Sequence, residues 1–482
     1  MNGKKLILNS LIFSILNFLQ PLSSFILLPL YLKHLNINDY AIFSLMTNVS
    51  GFVSLISALG IGSSVINFYY NYNSNQEKLE RFIYNVVFFS ILLNVSFFII
   101  ILPFGDCLFN LIFNSTDILF YPFGVLAIGI GCMSTITIPY LIFLKNQDNI
   151  KLYSILILIS ILLAVFFQYF SLVNLNLSVK GLLWSKFLGT LLPAIIILFK
   201  NFSHTKFYFD YKIILPALFF SLKYLPTSLL AWANSFFDRI IIENYLDLKK
   251  LGVYSLVLTF TSMIEMLYLA IGNSVQPFLY DLYSKNEEKS ILNSKINQVF
   301  SFYLHFVLFG LTTLILIVTN IDLLVENPEY LKVKEFVTIS GFNFFLSSYI
   351  YIFILNIFYF KKTKIMVLIQ LISFIMLVVL EIVLIPLYEI NGVIYVTLLV
   401  KIIVFVSSYL ASQKTFRIEF NKLKIFYTPF LIITTIFCLN LLALVNVFTW
   451  NEFGITQFIF VIIFLSITYK TKIFNFIKFQ KF

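Results

Sequence analysis

Charged residues are scarce in this chain. They make up 11% of its 482 residues, whereas soluble globular proteins contain about 25%. Hydrophobic residues make up 60%, and the mean hydropathy is +0.95. A soluble chain of this length would divide into about two or three domains, each with a charged surface. The composition therefore excludes a soluble globular protein.

Cysteine and histidine are also rare. The three cysteines, Cys107, Cys132 and Cys438, lie far apart, and the three histidines are scattered, so no metal or redox spacing exists. The sequence contains no Walker A motif and no catalytic constellation, so we expect neither ATP hydrolysis nor another enzymatic activity. We expect no cofactor and no bound metal. Transport by such a chain would depend on an ion gradient, the membrane potential or the gradient of the substrate.

Long apolar runs fill the sequence instead. A bilayer core about 30 Å thick is crossed by roughly 20 apolar residues in a helix. We number the fourteen predicted spans in chain order: 6–32, 41–66, 82–102, 118–144, 152–173, 181–199, 213–245, 253–281, 296–319, 335–360, 365–386, 392–411, 427–447 and 454–469. Span 1 is too long for a signal peptide and lacks a cleavage site, so we predict that it is retained. The sequence predicts an all-α polytopic membrane protein.

The net charge of +11 is distributed unevenly across the predicted membrane. With the N-terminus in the cytoplasm, 23 of the 33 Lys and Arg residues fall in cytoplasmic segments and 6 fall in loops on the opposite side. This is the pattern of the positive-inside rule. The basic balance therefore indicates topology rather than nucleic-acid binding, and it predicts that both termini are cytoplasmic.

An internal repeat divides the chain. Residues 58–70 (ALGIGSSVINFYY) and 268–280 (YLAIGNSVQPFLY) are identical at seven of thirteen positions, including Gly62/Gly272. They close spans 2 and 8, which are an even number of spans apart, so both copies run in the same direction. Parallel repeats of this kind are typical of alternating-access transporters. We predict an N-terminal lobe (1–200), a cytoplasmic linker (201–212), a C-terminal lobe (213–426) and an extra pair of spans with a tail (427–482).

Four basic residues lie inside predicted spans: Lys186, Lys223, Arg239 and Lys401. A charge at a helix centre costs roughly 2.5–3.5 kcal/mol on insertion scales, so it usually faces a wet interior. We take all four as candidates for binding an anionic diphosphate. The alternatives are snorkelling for Arg239 and Lys186, an interfacial anchor for Lys223, and a packing contact for the central Lys401.

Acidic residues inside the spans are the candidates for ion coupling: Asp238, Glu265 and Glu381. Adjacent side chains do not face each other on a helix, so we expect Asp238 to point away from Arg239. Glu243 lies four residues after Arg239 on the same helix face, so the two side chains could pair. Amide side chains in the spans are candidates for hydrogen bonds to sugar hydroxyls or for contacts between helices: Asn17, Gln20, Asn48, Asn67, Asn234, Asn273 and Gln276.

Several short motifs resemble one family. They are Asn9, Gln20-Pro21, Leu28-Pro29-Leu30-Tyr31, Asp39-Tyr40-Ala41 and Ala58-Leu59-Gly60-Ile61-Gly62 in the first half, and Tyr224-Leu225-Pro226, Asp238-Arg239 and Leu251-Gly252-Val253-Tyr254 in the second. Together with the length and the span number, they resemble Wzx-type polysaccharide flippases of the multidrug/oligosaccharidyl-lipid/polysaccharide (MOP) exporter superfamily. One departure is that span 1 carries no charge, whereas some relatives place Arg there.

The resemblance implies two six-helix lobes around a cationic cavity, with spans 13 and 14 beside a lipid-facing groove. It implies an undecaprenyl-diphosphate-linked oligosaccharide as substrate, destined for O-antigen of lipopolysaccharide or for capsule and moved from the cytoplasmic to the outer leaflet of a bacterial inner membrane. It also implies coupling to a proton or sodium ion, and a polysaccharide polymerase as a partner.

Three alternatives remain open at this point. A multidrug or metabolite antiporter of the same superfamily would favour an acidic cavity, whereas the charges buried here are mainly basic. A peptidoglycan-precursor flippase is separated only weakly by the sequence. A membrane-embedded polymerase or ligase generally needs a sizeable outer loop, and no predicted loop exceeds about 17 residues.

Overall fold

The computed structural model describes residues 12, 13, 16, 19, 22–72, 75–203, 209–284, 288–323, 325 and 327–469. The predicted N-terminal cytoplasmic segment, the motif residues Asn9, Gln20 and Pro21, the amide Asn17 and the end of the C-terminal tail lie outside these residues, as does part of the predicted linker. The described part of the chain contains no strand.

Fifteen helices account for most of the described residues. In chain order they are α1 (Leu28–His34), α2 (Ile37–Ile56), α3 (Ser64–Tyr72), α4 (Gln76–Ile112), α5 (Val125–Asn146), α6 (Ile150–Tyr169), α7 (Val179–Ser203), α8 (Tyr211–Tyr245), α9 (Leu248–Ser284), α10 (Lys289–Thr319), α11 (Pro328–Leu331), α12 (Val333–Tyr359), α13 (Thr363–Thr415), α14 (Thr428–Leu444) and α15 (Trp450–Tyr469). Side-chain caps begin several of them. For example, the side-chain Oδ1 of Asn36 accepts a hydrogen bond from the Asp39 backbone N–H at 2.7 Å at the start of α2.

The helices coincide with the predicted spans. Eleven stretches are long and apolar enough to cross a membrane, and a shorter apolar helix covers Trp450–Ser466. Predicted spans 2–10, 13 and 14 each coincide with one of these helices, and α1 is the end of span 1. The prediction of an all-α polytopic membrane protein is confirmed.

Spans 11 and 12 are joined within α13. This helix is 53 residues long, more than twice the length that one crossing needs. It turns at Glu389, whose φ of 55° and ψ of −134° are not helical. Just beyond the turn, a Cβ on Gly392 would lie 2.6 Å from the carbonyl oxygen of Leu384. Glycine is therefore required at position 392, because any larger residue would meet the backbone of the preceding turn.

The chain forms two compact units, Met1–Gly252 and Val253–Phe482. In the first unit, α2 and α7 pack on α5, α6 packs on α7, and α8 packs on α2 and α4. Ile61, Val65, Leu79, Phe82 and Val86 lie at the centre of its apolar core. The predicted linker and lobe boundaries stay a prediction.

In the second unit, α12 is the central helix. It packs against α13, α10 and α14, and α15 packs along α10. Tyr349 of α12 contacts the rings of Phe405 and Phe430 from the neighbouring helices at 5.5 and 6.1 Å between centroids. This buried aromatic cluster fixes the rotation of α12, and therefore determines which of its residues face α9.

Candidate functional site

Lys186 of α7 is a cation with neutral partners. Its ammonium group donates a hydrogen bond to the Thr47 hydroxyl at 3.0 Å and lies 4.6 Å from the centre of the Phe43 ring. Phe43 and Thr47 are four residues apart on α2, so both project from the same helix face. No carboxylate pairs with Lys186 within the described ranges, and the side chain is only partly buried. Its positive charge therefore stays uncompensated at the depth of the apolar helices.

Arg239 of α8 folds back along its own helix. Its guanidinium Nη1 donates to the Ser235 carbonyl oxygen at 2.6 Å and lies 3.4 Å from the Asp238 carboxylate. The expectation that Asp238 points away from Arg239 is wrong. The Asp238 carboxylate also accepts the backbone N–H of Arg239 at 2.7 Å, which turns it toward its neighbour. Arg239 is 9% exposed, so this pair is buried and largely neutral.

Glu243 does not pair with Arg239, which corrects the second expectation for this helix. Its carboxylate accepts two backbone N–H groups from the loop after α4, from Ser115 at 2.7 Å and from Asn114 at 3.1 Å. Glu243 is 3% exposed, and two such bonds satisfy a buried carboxylate. The Glu243 carboxylate therefore accepts hydrogen bonds from this loop and not from Arg239.

A polar cavity of about 430 Å³ lies beside this contact. It is lined by Asn38, Asn114, Ser115, Asp117, Glu243, Asn244, Leu246, Asp247, Leu248 and Lys249. By the predicted topology it opens on the outer side.

Lys401 and Glu265 form the charged centre of the second unit. They interact electrostatically between the second half of α13 and α9. The Tyr268 hydroxyl, one turn along α9, donates to the Glu265 carboxylate at 3.4 Å. Both charged side chains are partly buried, as their central positions in spans 12 and 8 predicted. The negative charge of Glu265 and the positive charge of Lys401 therefore offset each other.

The two remaining candidates differ in burial. Glu381 of α13 is fully buried, whereas Lys223, near the start of α8, is exposed. Among the predicted residues, the structure therefore brings together two pairs, Asp238 with Arg239 and Glu265 with Lys401. It gives Lys186 the neutral partners Thr47 and Phe43, which sequence reasoning missed because a threonine and a phenylalanine in an apolar helix carry no distinguishing pattern.

The arrangement offers one cation without an acidic partner among the described residues. Lys186 offers an ammonium group to an anion such as a phosphate, while the other charges are balanced locally. No group of three or more His, Cys, Asp or Glu residues that would hold a metal ion occurs in the described part of the chain.

Comparison with known proteins agrees with a transport fold. The family model described as "Polysaccharide biosynthesis protein" matches residues 6–283. No curated protein sequence matches the chain significantly.

Solved structures of two kinds resemble the chain along most of its length. An inward closed conformation of the lipid II flippase MurJ is 18% identical, with a TM-score of 0.68 over 96% of this chain and 99% of that one. An inward-facing multidrug resistance MATE family transporter of the MOP superfamily is 14% identical, with a TM-score of 0.63 over 80% and 93%. A structure of the Vibrio cholerae MATE transporter VcmN is 14% identical, with a TM-score of 0.59 over 86% and 97%. At these identities the likeness shows the fold alone.

Proposed function

The chain belongs to the polysaccharide biosynthesis protein family, and from this premise we propose that it is a flippase for undecaprenyl-diphosphate-linked oligosaccharides. It would carry O-antigen or capsule repeat units from the cytoplasmic to the outer leaflet of a bacterial inner membrane by alternating access. In this proposal it is a transporter and not an enzyme, both termini are cytoplasmic, and a polymerase uses the exported repeat unit.

The observation that carries this proposal is the environment of Lys186. An ammonium group held by Thr47 and Phe43, without a carboxylate partner in the described residues, has its charge available for an anionic ligand. A cation among apolar membrane helices is costly unless something compensates its charge. A diphosphate that enters between apolar helices supplies that compensation and is shielded from hydrocarbon.

Other charged residues take supporting roles in the proposal. Arg239 and Lys401 would bind the diphosphate once their carboxylate partners are protonated or occupied by a coupling ion, and Lys223 would attract the anionic head group from the cytoplasmic surface. Asp238, Glu265 and Glu381 are the proposed coupling sites for a proton or sodium ion. This exchange links ion binding to release of a basic side chain, and it would thereby couple the ion to binding of the diphosphate.

The test is export in cells that lack the native protein. Lys186→Gln should reduce surface polysaccharide at least tenfold and cause lipid-linked repeat units to accumulate, because it removes the uncompensated charge. Lys186→Arg should retain part of the activity. Lys180→Gln is the matched control, since Lys180 lies on the same helix and is exposed. Normal export by Lys186→Gln at normal protein levels would overturn the role given to Lys186.

The same cells separate the alternatives. A peptidoglycan-precursor flippase would restore growth when the lipid II flippase of the host is depleted, and a multidrug or metabolite antiporter would raise drug resistance in a sensitised strain. Either result without any effect on surface polysaccharide would replace the proposed substrate.

A further inference from the structure

A row of tyrosines runs along the contact between α9 and α12 in the second unit. Its members are Tyr268, Tyr280 and Tyr283 of α9 and Tyr351 and Tyr359 of α12, and we call it the tyrosine row. Ring centroids are 6.0 Å apart for Tyr268 and Tyr351, 5.1 Å for Tyr280 and Tyr359, and 5.2 Å for Tyr283 and Tyr359. The row extends from the Glu265–Lys401 pair toward the predicted cytoplasmic end of α9.

The hydroxyl groups of the row have different partners. Tyr351 donates to the Asn273 amide oxygen at 2.9 Å, and Tyr268 donates to Glu265. The Tyr283 hydroxyl is buried and makes no hydrogen bond within the structure. A buried polar group without a partner destabilises the folded state, so the Tyr283 hydroxyl needs a partner that the described residues do not supply.

Gly272 sets the position of the central ring. A Cβ at this residue would overlap the Tyr351 ring, so only glycine lets α12 approach α9 closely enough. The Tyr351 ring then lies across the α9 backbone, and its hydroxyl reaches Asn273. The close approach of the two helices at Gly272 therefore determines the position of the Tyr351 ring.

Polar, accessible residues lie beside the row, together with the exposed Phe278 ring. Asn273 and Ser274 are exposed on α9, and Tyr351, Tyr280 and Tyr283 are partly exposed as residues. The exposed side chains of the first half of α13 are, by contrast, apolar: Leu371, Ile372, Ile375, Val379, Ile382 and Val383. Polar side chains avoid hydrocarbon in a bilayer, so the α13 face suits lipid and the α9 face suits water or a polar ligand.

We propose that the tyrosine row binds the glycan part of the transported molecule. This proposal rests on the proposed function, and it assigns the sugar to a surface separate from Lys186. A sugar ring presents hydroxyl groups at its edge and C–H groups on its face. Tyrosine presents the complementary pair, an apolar ring face and a hydroxyl that both donates and accepts. The exposed Asn273 amide adds further hydrogen-bonding groups, and the buried Tyr283 hydroxyl would become available through a shift of its side chain when the glycan binds.

The test measures binding to purified full-length protein with two probes. One probe is the free glycan released from the lipid-linked repeat units of cells that express this chain natively, and the other is undecaprenyl diphosphate without sugar. Tyr351→Phe and Asn273→Ala should weaken glycan binding roughly tenfold, because each removes hydrogen bonds to the ligand. Binding of the bare lipid should stay unchanged. Lys186→Gln should show the opposite pattern.

Tyr283→Phe distinguishes ligand binding from a structural role. Its hydroxyl has no partner among the residues that the structure describes, so its removal should leave the melting temperature unchanged or slightly higher while glycan binding weakens. Tyr303→Phe is the matched control. Tyr303 is 1% exposed and donates to the Ser348 carbonyl oxygen at 3.3 Å, so its loss should lower stability without changing glycan affinity.

Each outcome decides between the two proposals. Equal glycan affinity in the wild type, Tyr351→Phe and Tyr283→Phe would overturn the tyrosine row as a glycan site. Binding of the bare lipid without binding of the glycan would overturn the tyrosine row alone and leave the flippase proposal standing. Binding of neither probe by the wild type would overturn the proposed function, and the tyrosine row with it.

Discussion

The two copies of the internal repeat place a glycine at the same contact but surround it differently. In the first unit, a Cβ on Gly62 would lie 3.2 Å from the Cγ of Pro139 in α5. In the second unit, Gly272 faces Tyr351 in α12. Since α5 and α12 correspond to spans 4 and 10, the same pair of helices approaches closely in both repeats. The close approach is common to the two copies, while the chemistry of the contact differs.

The helix itself also differs between the copies. In the first unit α2 ends at Ile56, Leu59 and Gly60 have positive φ values of 52° and 65°, and the chain continues as a 3-10 turn and α3. In the second unit the matching residue is Ala270, and α9 continues through it without a break. Glycine adopts a positive φ without steric cost, and alanine favours the helix. Gly60 therefore favours the break and Ala270 favours the continuous helix, although the preceding residues, Leu59 and Leu269, are identical.

The same helix pair carries a lysine in each unit. Lys186 faces α2 in the first unit, and Lys401 faces α9 in the second. Their partners differ in charge, since Lys186 has Thr47 and Lys401 has Glu265. Each copy of the repeat therefore has a lysine inside a predicted span, and only the lysine of the second copy has an acidic partner among the described residues. The difference makes the first unit the better site for an anion, and it can be tested by exchanging the features that distinguish the copies.

The largest effect is expected from Thr47→Glu, which gives the first unit the charge balance of the second. The new carboxylate would pair with Lys186 and repel an incoming diphosphate, and like charges placed together cost several kcal/mol. We expect export of polysaccharide to fall about a hundredfold, measured as surface polysaccharide at matched protein levels. Thr47→Gln keeps the position neutral and should retain most of the activity. A loss of the same size in Thr47→Gln would show that shape, not charge, limits export.

The sequence predicted the helices and the repeat well, because a bilayer imposes long apolar runs and the repeat preserves a glycine. It also placed Lys401 at the centre of span 12, whereas it left snorkelling open for Lys186. The partners of these lysines were not predictable, since they lie on other helices and depend on helix rotation, which packing around residues such as Tyr349 determines. The Asp238–Arg239 contact was missed for a different reason: the long arginine side chain curls back by one turn, and a rule based on Cβ directions does not include this motion.

A smaller effect is expected from alanine at the two matching glycines. Gly272→Ala should destabilise the protein by about 1–3 kcal/mol, because the new methyl overlaps the Tyr351 ring in a packed contact. Gly62→Ala should cost less, since its neighbour Pro139 lies at 3.2 Å. Thermal unfolding in detergent measures both. Adding Tyr351→Leu should recover stability in Gly272→Ala and not in Gly62→Ala, and an equal loss in both glycine variants would contradict the difference between the contacts.

The smallest effect concerns the loops that follow α4 and α10, which are matching positions of the repeat. In the first unit Glu243 holds the backbone of its loop, whereas in the second Lys334 donates to the Asp322 carboxylate at 2.9 Å. This hydrogen bond lowers the pKa of Asp322 below its ordinary value of about 4. A carboxyl group with a lowered pKa stabilises the folded state above its unfolded pKa and loses that contribution as the pH falls through the folded pKa.

Stability should therefore decline between about pH 4 and the lower folded pKa of Asp322, and Asp322→Asn should remove that part of the decline. The side chain of Asp322 is 39% exposed, so solvent screens the pair, and the contribution should be only a few tenths of a kcal/mol. Unfolding curves from pH 6 to pH 3 at low and high salt measure it, and high salt should reduce the difference between the variants. If Asp322→Asn and the wild type keep the same pH dependence, the Lys334–Asp322 pair does not contribute to stability. The charge difference between these two loops would then have no measurable effect.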